Sequence, residues 1–400
     1  MNSSRTNKPF GLYIHIPFCQ SKCPYCDFNT YQQAESHIPK TMNAIKTSLE
    51  KWSSILNYKN ISTIFFGGGT PSYINSEYIE ELLNLAKTKF NLLPNAEITL
   101  ETNPNDVTIS KLNDYLEFGI NRLSLGIQTM DNDLLKTLGR RHNAEEAKNA
   151  VILAYQAGFT NISVDLMYGL PKQSTNSLSK TLTEILALNP THISAYALTF
   201  EQGTEFFSLK QQGILKSASD NMYEKMYEIV NQTITSSNYE RYEISNWAKP
   251  NHESKHNLNY WKRGNYLGIG PGAHSLIESY RFWNVRSLKH FFQKESQWKP
   301  LNKSYKLLNN ALLKTVNSID SFEFLSKELQ LKETIILGLR LTEGLNISEV
   351  ENIFNVNLNT LFEKQIRYLK QHGLISLSNN KLKLTERGIF LSNQVFVEFI

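Results

Sequence analysis

The feature that most constrains the fold is a series of strand patterns, each followed by a helical pattern, in the first half of the chain. The strand patterns occupy 10–16, 61–66, 96–101, 121–126, 161–167 and 191–198. The segments between them carry apolar residues at helical spacing, and Asn143 and Glu146 are spaced like a capping box. Six strand–helix units in series predict a parallel sheet with right-handed crossovers. We therefore expect an α/β fold, an incomplete (β/α)6 barrel.

Three regions of different pattern divide the chain. The partial barrel is predicted over 1–240, and a loop-rich extension and connector, rich in Tyr, Trp, Asn and His, over 241–330. The region 331–400 begins with helical patterns and continues with strict alternation at 375–384 around Asn379-Asn380. That alternation predicts a hairpin. Helices followed by a small hairpin resemble a winged helix, so we expect a C-terminal winged-helix-like domain.

Charge and hydropathy narrow the classes of partner. The net charge is +5, and region 331–400 carries 8 Lys and Arg against 7 Glu. This balance is poor for a phosphate-binding face, so no nucleic acid is expected as a partner. No stretch approaches 18 apolar residues, and Met1 to Pro9 lacks the apolar core of a secretory signal. The sequence thus predicts a cytoplasmic protein.

The cysteines are the most informative side chains. All three, Cys19, Cys23 and Cys26, fall in a C-x3-C-x2-C loop directly after the first strand pattern, and an odd number cannot form a disulfide framework. Three thiolates on a short loop can each bind one iron of a [4Fe–4S] cube and leave the fourth iron open. A structural zinc site is the alternative, but it requires a fourth ligand. His15 is the nearest candidate, although we expect it to be a buried, hydrogen-bonding histidine.

This loop and its position resemble the radical S-adenosylmethionine (SAM) superfamily. The resemblance implies a [4Fe–4S] cluster held by Cys19, Cys23 and Cys26, with SAM chelating the unique iron. The run 13–19 (YIHIPFC) is typical of the branch that contains the oxygen-independent coproporphyrinogen III oxidases and the HemW haem chaperones. Further blocks of that branch are 66–72 (FGGGTPS), 101–104 (ETNP), 122–128 (RLSLGIQ), 138–140 (LGR) and 164–171 (VDLMYGLP). The resemblance therefore covers nearly the whole chain.

Several of these blocks have a physical interpretation as a SAM pocket. The glycines 67–69 follow the second strand, where a backbone without Cβ atoms can approach a ligand and present N–H and C=O groups to it. Glu101, Gln128 and Asp165 end successive strands at one mouth, which predicts a polar pocket. Arg140 can pair with a carboxylate. By resemblance, the residues that bind SAM are Tyr13, Tyr25, Gly68, Gly69, Thr70, Glu101, Gln128, Arg140, Asp165 and Ala197.

Two departures separate this chain from the oxidases. The oxidases carry a further cysteine two residues after the third ligand, and Phe28 stands there in this chain. The oxidases also have a longer segment before the cluster, whereas 18 residues precede Cys19 here. Both departures match the haem chaperones.

A third discriminator is the HNxxYW motif formed by His256, Asn257, Tyr260 and Trp261, which resembles the chaperone signature associated with haem binding. Imidazole is a common axial ligand of haem iron, and aromatic rings can cover a porphyrin face. His256 is thus the favoured iron ligand, with His252 and His274 as alternatives. The remaining interpretation is a structural histidine in an aromatic cluster.

The sequence therefore predicts a haem chaperone on a radical SAM scaffold, with a [4Fe–4S] cluster, SAM and haem as cofactors. The resemblance implies delivery of haem to an apo-haemoprotein of a membrane respiratory chain, with transient membrane docking, and it leaves a homodimer open. The alternative is an enzyme that oxidatively decarboxylates coproporphyrinogen III. The sequence leaves open whether SAM is cleaved.

Overall fold

The computed structural model describes residues 9–56, 59–298 and 308–400. Residues 1–8 of the predicted barrel region and residues 299–307 of the predicted extension lie outside the described residues. The six predicted strands are confirmed as parallel neighbours in chain order, and the first has its predicted bounds. The elements of this part are β1 Phe10–Ile16, α1 Ile38–Ile55, β2 Asn60–Gly68, α2 Ser76–Lys89, β3 Asn91–Thr102, α3 Ile109–Phe118, β4 Arg122–Gln128, α4 Asn132–Thr137, α5 Ala144–Ala157, β5 Ile162–Tyr168, α6 Thr175–Ala187 and β6 His192–Ala197.

The strands alternate between an apolar outer face and a polar inner face. In β1, Leu12 and Ile14 are fully buried in the main core together with apolar residues of the helices, whereas Tyr13 lies on the opposite face. In β4, Arg122 and Ser124 likewise alternate with core leucines. The outer face packs under the helices because it is apolar, and the inner face is left to line a site.

Local signals in the sequence mark both ends of α5, and the one at its start was predicted. Asn143 and Glu146 form the predicted capping box of α5, with the Asn143 N–H donating to the Glu146 carboxylate at 2.7 Å and the Glu146 N–H to the Asn143 Oδ1 at 3.0 Å. The helix ends at Gly158, whose φ of 109° favours glycine.

The sheet continues beyond the six parallel strands at both ends. Across the described residues it is an open sheet of twelve strands, in which four strands from the extension lie beyond β1 and two lie beyond β6. The added elements are α7 Glu205–Gln211, α8 Asp220–Thr235, β7 Glu240–Glu243, β8 Asn246–Ala248, α9 Lys255–Trp261, β9 Tyr266–Ile269, β10 His274–Ile277, β11 Tyr280–Asn284, α10 Leu288–Gln297, α11 Asn310–Thr315 and β12 Ile319–Phe324. The expected loop-rich extension is therefore largely short strands and helices.

The C-terminal domain has a core of its own that begins at Leu331. Its elements are α12 Lys327–Leu339, β13 Leu345–Asn346, α13 Ile347–Phe354, α14 Leu358–Leu361, α15 Glu363–Gln371, β14 Ile375–Ser378, β15 Lys381–Leu384, α16 Glu386–Phe390 and α17 Ser392–Val397. The predicted hairpin is confirmed, with Ile375 opposite Leu384 and positive φ at Asn379 and Asn380. The exact bounds of the three predicted regions stay predictions.

This domain connects the two ends of the open sheet. At one end, Glu333 of α12 accepts a hydrogen bond from Arg281 of β11 at 2.6 Å. At the other, Arg241 of β7 pairs with Glu386 of α16 at 2.6 Å, and the Thr342 N–H donates to the carbonyl of residue 242. The domain thus holds together the two edges that the incomplete barrel leaves apart.

Candidate functional site

A cavity of about 420 Å³ lies at the carboxyl ends of the parallel strands, and we call it the cysteine cavity. All three cysteines line it. So do most of the residues that the sequence predicts for SAM: Tyr25, Gly68, Gly69, Thr70, Glu101, Gln128, Arg140, Asp165 and Ala197, together with Asn257 of the HNxxYW motif. Tyr13 does not line this cavity, because its hydroxyl turns to the Nδ1 of His15 at 2.9 Å.

The cysteine loop is fixed by backbone hydrogen bonds and by donors to its sulfur atoms. The Cys19 N–H donates to the carbonyl of Tyr31 at 3.0 Å. The Thr70 hydroxyl donates to the Cys19 Sγ at 3.3 Å, and Arg140 to the Cys23 Sγ at 3.6 Å. Burial raises the pKa of the Cys26 thiol to about 11. Metal binding must therefore displace protons from this loop.

The spread of the thiols suits a cluster better than a single ion. Within the described part of the chain, no three His, Cys, Asp or Glu side chains converge as they would around one metal ion. In an iron–sulfur cube, each cysteine binds a different iron, so the thiolates must stand apart around one cavity. The three free cysteines on one loop line one cavity and so fit that requirement, and among the described residues no fourth ligand converges with them as a zinc site would require.

Two half-buried carboxylates, Glu101 and Asp165, contribute a polar wall to the cysteine cavity. Glu101 accepts the Gly68 N–H at 3.0 Å, and burial, followed by the charge of Asp165, raises its pKa to about 7. Asp165 accepts the Ser124 hydroxyl at 3.1 Å; burial raises its pKa, while the charge of Arg122 opposes that rise. The pair offers acceptors for ammonium and hydroxyl groups of a ligand.

Arg140 brings a positive charge beside the cysteines. One terminal nitrogen donates to the carbonyl of Gly126 at 2.6 Å, and the other contacts Cys23. Its buried Nε has no hydrogen-bond partner in the described structure. An unpaired buried donor is costly, so a ligand carboxylate at this position would satisfy it. The chemistry of the wall therefore fits the amino acid-like end of SAM.

The glycines at the end of β2 are required for a structural reason that the sequence did not reveal. A Cβ at Gly68, where φ is +112°, would lie 2.4 Å from the His15 ring, and one at Gly69 would lie 2.6 Å from the carbonyl oxygen of Phe18. The Gly68 N–H is taken by Glu101, and the Gly69 N–H donates to the carbonyl of Ile16. These two N–H groups are thus engaged within the protein, because β1 and the cysteine loop approach here. Gly68 and Gly69 still line the cysteine cavity, and contact of their backbone with a ligand stays a prediction.

The HNxxYW motif lies on α9 rather than in a loop. The carboxylate of Glu97 accepts the N–H groups of Lys255 and His256, each at 3.0 Å, at the start of this helix. The His256 ring is 1% exposed; its Nδ1 lies 2.7 Å from the Thr63 hydroxyl and its Nε2 2.8 Å from the Tyr260 hydroxyl.

Both ring nitrogens of His256 are thus engaged within the protein, and burial lowers its pKa to about 3. In this conformation the ring anchors α9 to the inner face of the sheet. Iron ligation by His256 stays a prediction, and it requires the ring to release either Tyr260 or Thr63. His252, the first alternative, contacts the carbonyl of Pro250 at a turn outside both large cavities described here.

A second cavity, of about 670 Å³, adjoins the first, and we call it the aromatic cavity. Tyr260 and Trp261 of the motif line it, and so does His274. Asp27 and Phe28, which follow the last cysteine, line both cavities. The cysteine loop therefore forms the wall between them.

One residue of the site, Arg122, was not predicted from the sequence. Arg122 is 2% exposed, lines the cysteine cavity, and its charge opposes the rise that burial causes in the pKa of Asp165. Its signal was present in the alternation of Arg122, Ser124 and Gly126 with leucines, which places all three on the inner face.

Comparison with known proteins agrees with this geometry. The chain matches the Radical SAM superfamily over residues 13–185 and the HemN C-terminal domain over residues 325–391. The solved coproporphyrinogen III oxidase HemN of Escherichia coli superposes with a TM-score of 0.83 at 22% identity, over 99% of this chain and 91% of that one. Fold and site together thus define a radical SAM protein.

Relatives that match over most of their length identify the family within the radical SAM class. The protein named heme chaperone HemW in Bacillus subtilis is 35% identical over 98% of this chain and 99% of its own length. The one so named in Lactococcus lactis is 32% identical over 98% of each, and that of Escherichia coli 39% identical over 67% of this chain and 70% of its own. The chain belongs to the HemW haem chaperone family.

Proposed function

We propose that this protein binds haem and delivers it to apo-haemoproteins, and that a [4Fe–4S] cluster and SAM occupy the neighbouring cysteine cavity. The observation that carries this proposal is the aromatic cavity. Two residues of the HNxxYW motif line it, and it shares the Asp27–Phe28 wall with the cysteine loop. A flat aromatic ligand in one cavity would therefore lie beside a cluster in the other.

The residues of the cysteine cavity hold the cluster and SAM in this proposal. Cys19, Cys23 and Cys26 bind three irons, and the fourth iron supplies an open coordination position for SAM. Arg140 pairs with the SAM carboxylate. Glu101 and Asp165 accept hydrogen bonds from its amino and hydroxyl groups.

The remaining lining residues close the pocket. These residues contact SAM and set the shape of its pocket in this proposal. They are Tyr25, Gly68, Gly69, Thr70, Gln128 and Ala197. Tyr13 acts from outside this pocket, by orienting His15. Whether SAM is cleaved is measured by assaying 5′-deoxyadenosine after reduction of the cluster.

The client in this proposal is an apo-haemoprotein of a membrane respiratory chain. Among the described residues, the structure has no helix with the length and apolar character needed to span a bilayer. We propose that the protein acts from the cytoplasm and docks transiently on its client. A change to a homodimer when the cluster is loaded belongs to the same proposal, and light scattering of cluster-loaded and cluster-free protein measures it.

A haem titration tests the proposed function. The protein is reconstituted anaerobically with iron and sulfide, loaded with SAM and titrated with haem, followed by optical and magnetic spectra. Stoichiometric binding is expected. The matched enzymatic assay supplies coproporphyrinogen III, SAM and a reductant to the same preparation. Robust formation of protoporphyrinogen without specific haem binding would overturn the proposal in favour of the decarboxylase.

A further inference from the structure

We propose that haem binds in the aromatic cavity with His274 as the axial ligand of its iron and Arg286 as the partner of a propionate. This inference rests on the proposed function, and it names the ligand and the residues that hold it. The expected ligand class is a planar aromatic macrocycle that carries a metal and carboxylates.

The lining of the aromatic cavity suits a flat ring. It combines aromatic side chains from the motif helix, from the strands of the sheet extension and from the cysteine loop: Tyr260, Trp261, Tyr266, Trp283 and Phe28. Phe28 is 60% exposed and lies at the wall that this cavity shares with the cysteine cavity. A volume of about 670 Å³ is within the range of cavities that enclose a cofactor. A porphyrin in this cavity would cover Phe28 and the faces of the half-buried rings.

His274 is the histidine of this cavity whose ring is available. It is the exposed first residue of β10, and its ring stacks on Trp283 with centroids 5.5 Å apart. Within the described structure, no hydrogen bond to its ring nitrogens is present. The other histidine of the cavity, His15, is 6% exposed and is engaged at both nitrogens, by Tyr13 and by the carbonyl of Asn29.

The electrostatic surroundings keep His274 in the form that binds iron. Burial and the charges of Arg281 and Arg286 lower its pKa, so that the imidazole is neutral near pH 7. A neutral imidazole with a free nitrogen is the state required for coordination.

The two arginines of the cavity differ in availability. Arg281 pairs with Glu323 at 2.8 Å and with Glu333 of α12 at 2.6 Å. Its charge is therefore already balanced within the protein. Arg286 is exposed, and in the described part of the chain its side chain makes no ion pair. Asp27 and Asp320 also line the cavity, and their negative charges would repel a ligand carboxylate placed near them. A propionate is therefore expected at Arg286.

The proposal gives His256 a positioning role. Its Nε2 holds the Tyr260 hydroxyl at 2.8 Å, and the Tyr260 ring lines the aromatic cavity. Removal of His256 is thus expected to loosen the cavity wall and weaken haem binding without changing the iron ligand.

Haem titration of cluster-loaded, full-length variants tests the assignment. His274→Ala is expected to lose the spectrum of histidine-ligated haem and to bind it at least about tenfold more weakly. His274→Tyr should replace that spectrum with one of phenolate ligation. His252→Ala serves as the matched control and should bind like the wild type. Added imidazole should restore the spectrum of His274→Ala.

The affinity for haem relative to its dimethyl ester tests the propionate contact separately. The wild type is expected to prefer haem over its dimethyl ester, and Arg286→Ala to lose that preference. Unchanged ligation in both His274 variants, with loss of ligation in His256→Ala, would overturn the assignment of His274 while leaving the proposed function in place. Absence of specific haem binding by the wild type would overturn the proposed function itself.

Discussion

The substitution Glu101→Gln is expected to change the free energy of unfolding of this protein in a way that depends on pH. Burial raises the pKa of Glu101 from an ordinary value of 4.5 to about 7. Each pH unit between those values corresponds to about 1.4 kcal/mol, so ionising the folded protein here costs about 3 kcal/mol. A raised carboxyl pKa contributes stability below pH 4.5 that is lost as the pH rises to about 7.

The substituted amide would keep an oxygen for the Gly68 N–H and carry no charge. The cluster-free variant is therefore expected to exceed the wild type in free energy of unfolding by up to about 3 kcal/mol at about pH 8, and by less than about 1 kcal/mol at about pH 5. Chemical denaturation under anaerobic conditions at both pH values measures the difference. Glu117→Gln, on the exposed face of α3, is the matched control and should show no such pH dependence. An equal effect of Glu101→Gln at both pH values would refute the reasoning.

Three further predictions follow from the same geometry. SAM affinity should increase as the pH rises through about 7, because Glu101 then ionises beside a cationic ligand, and calorimetry of wild type and Glu101→Gln measures it. Gly69→Ala should fold poorly around the cysteine loop, since its Cβ would lie 2.6 Å from the Phe18 carbonyl oxygen; the iron content after reconstitution should drop. Thr63→Val should cost about 1–3 kcal/mol in unfolding free energy, because it leaves the His256 Nδ1 buried and unpaired, whereas an unchanged denaturation midpoint would contradict this.

Features that depend on local sequence were predictable. The strand patterns predicted the order of the parallel sheet, because each apolar outer face lies within one short segment. The capping box of α5 and the Asn379-Asn380 turn were equally local. The cysteine loop and the acidic strand ends were predicted to share one mouth, since the carboxyl ends of parallel strands must meet there.

Features that depend on distant contacts were not predictable. The helix α9 has seven residues and no apolar stripe, and its start is fixed by Glu97 from β3. The engagement of His256 depends on Thr63, which is 193 residues away. The strands β9 and β10 have four residues each, too short for periodicity to identify. The sequence therefore revealed the HNxxYW motif but not which of its atoms are free.

The aromatic cavity illustrates the same limit. Phe28, Tyr260, His274 and Arg286 come from four separate segments, and only the sheet extension brings them together. Each is unremarkable alone, because an exposed aromatic or arginine is common on protein surfaces. Their shared wall with the cysteine loop is a property of the folded chain.

Anaerobic haem transfer tests the central claim most directly. Cluster-loaded protein carrying one equivalent of haem is mixed with an apo-haemoprotein, and the spectra of both are followed after separation. The account predicts that haem leaves this protein and restores the acceptor, with no decarboxylation of coproporphyrinogen III in a parallel reaction. Retention of haem by this protein, together with SAM-dependent protoporphyrinogen formation, would contradict it.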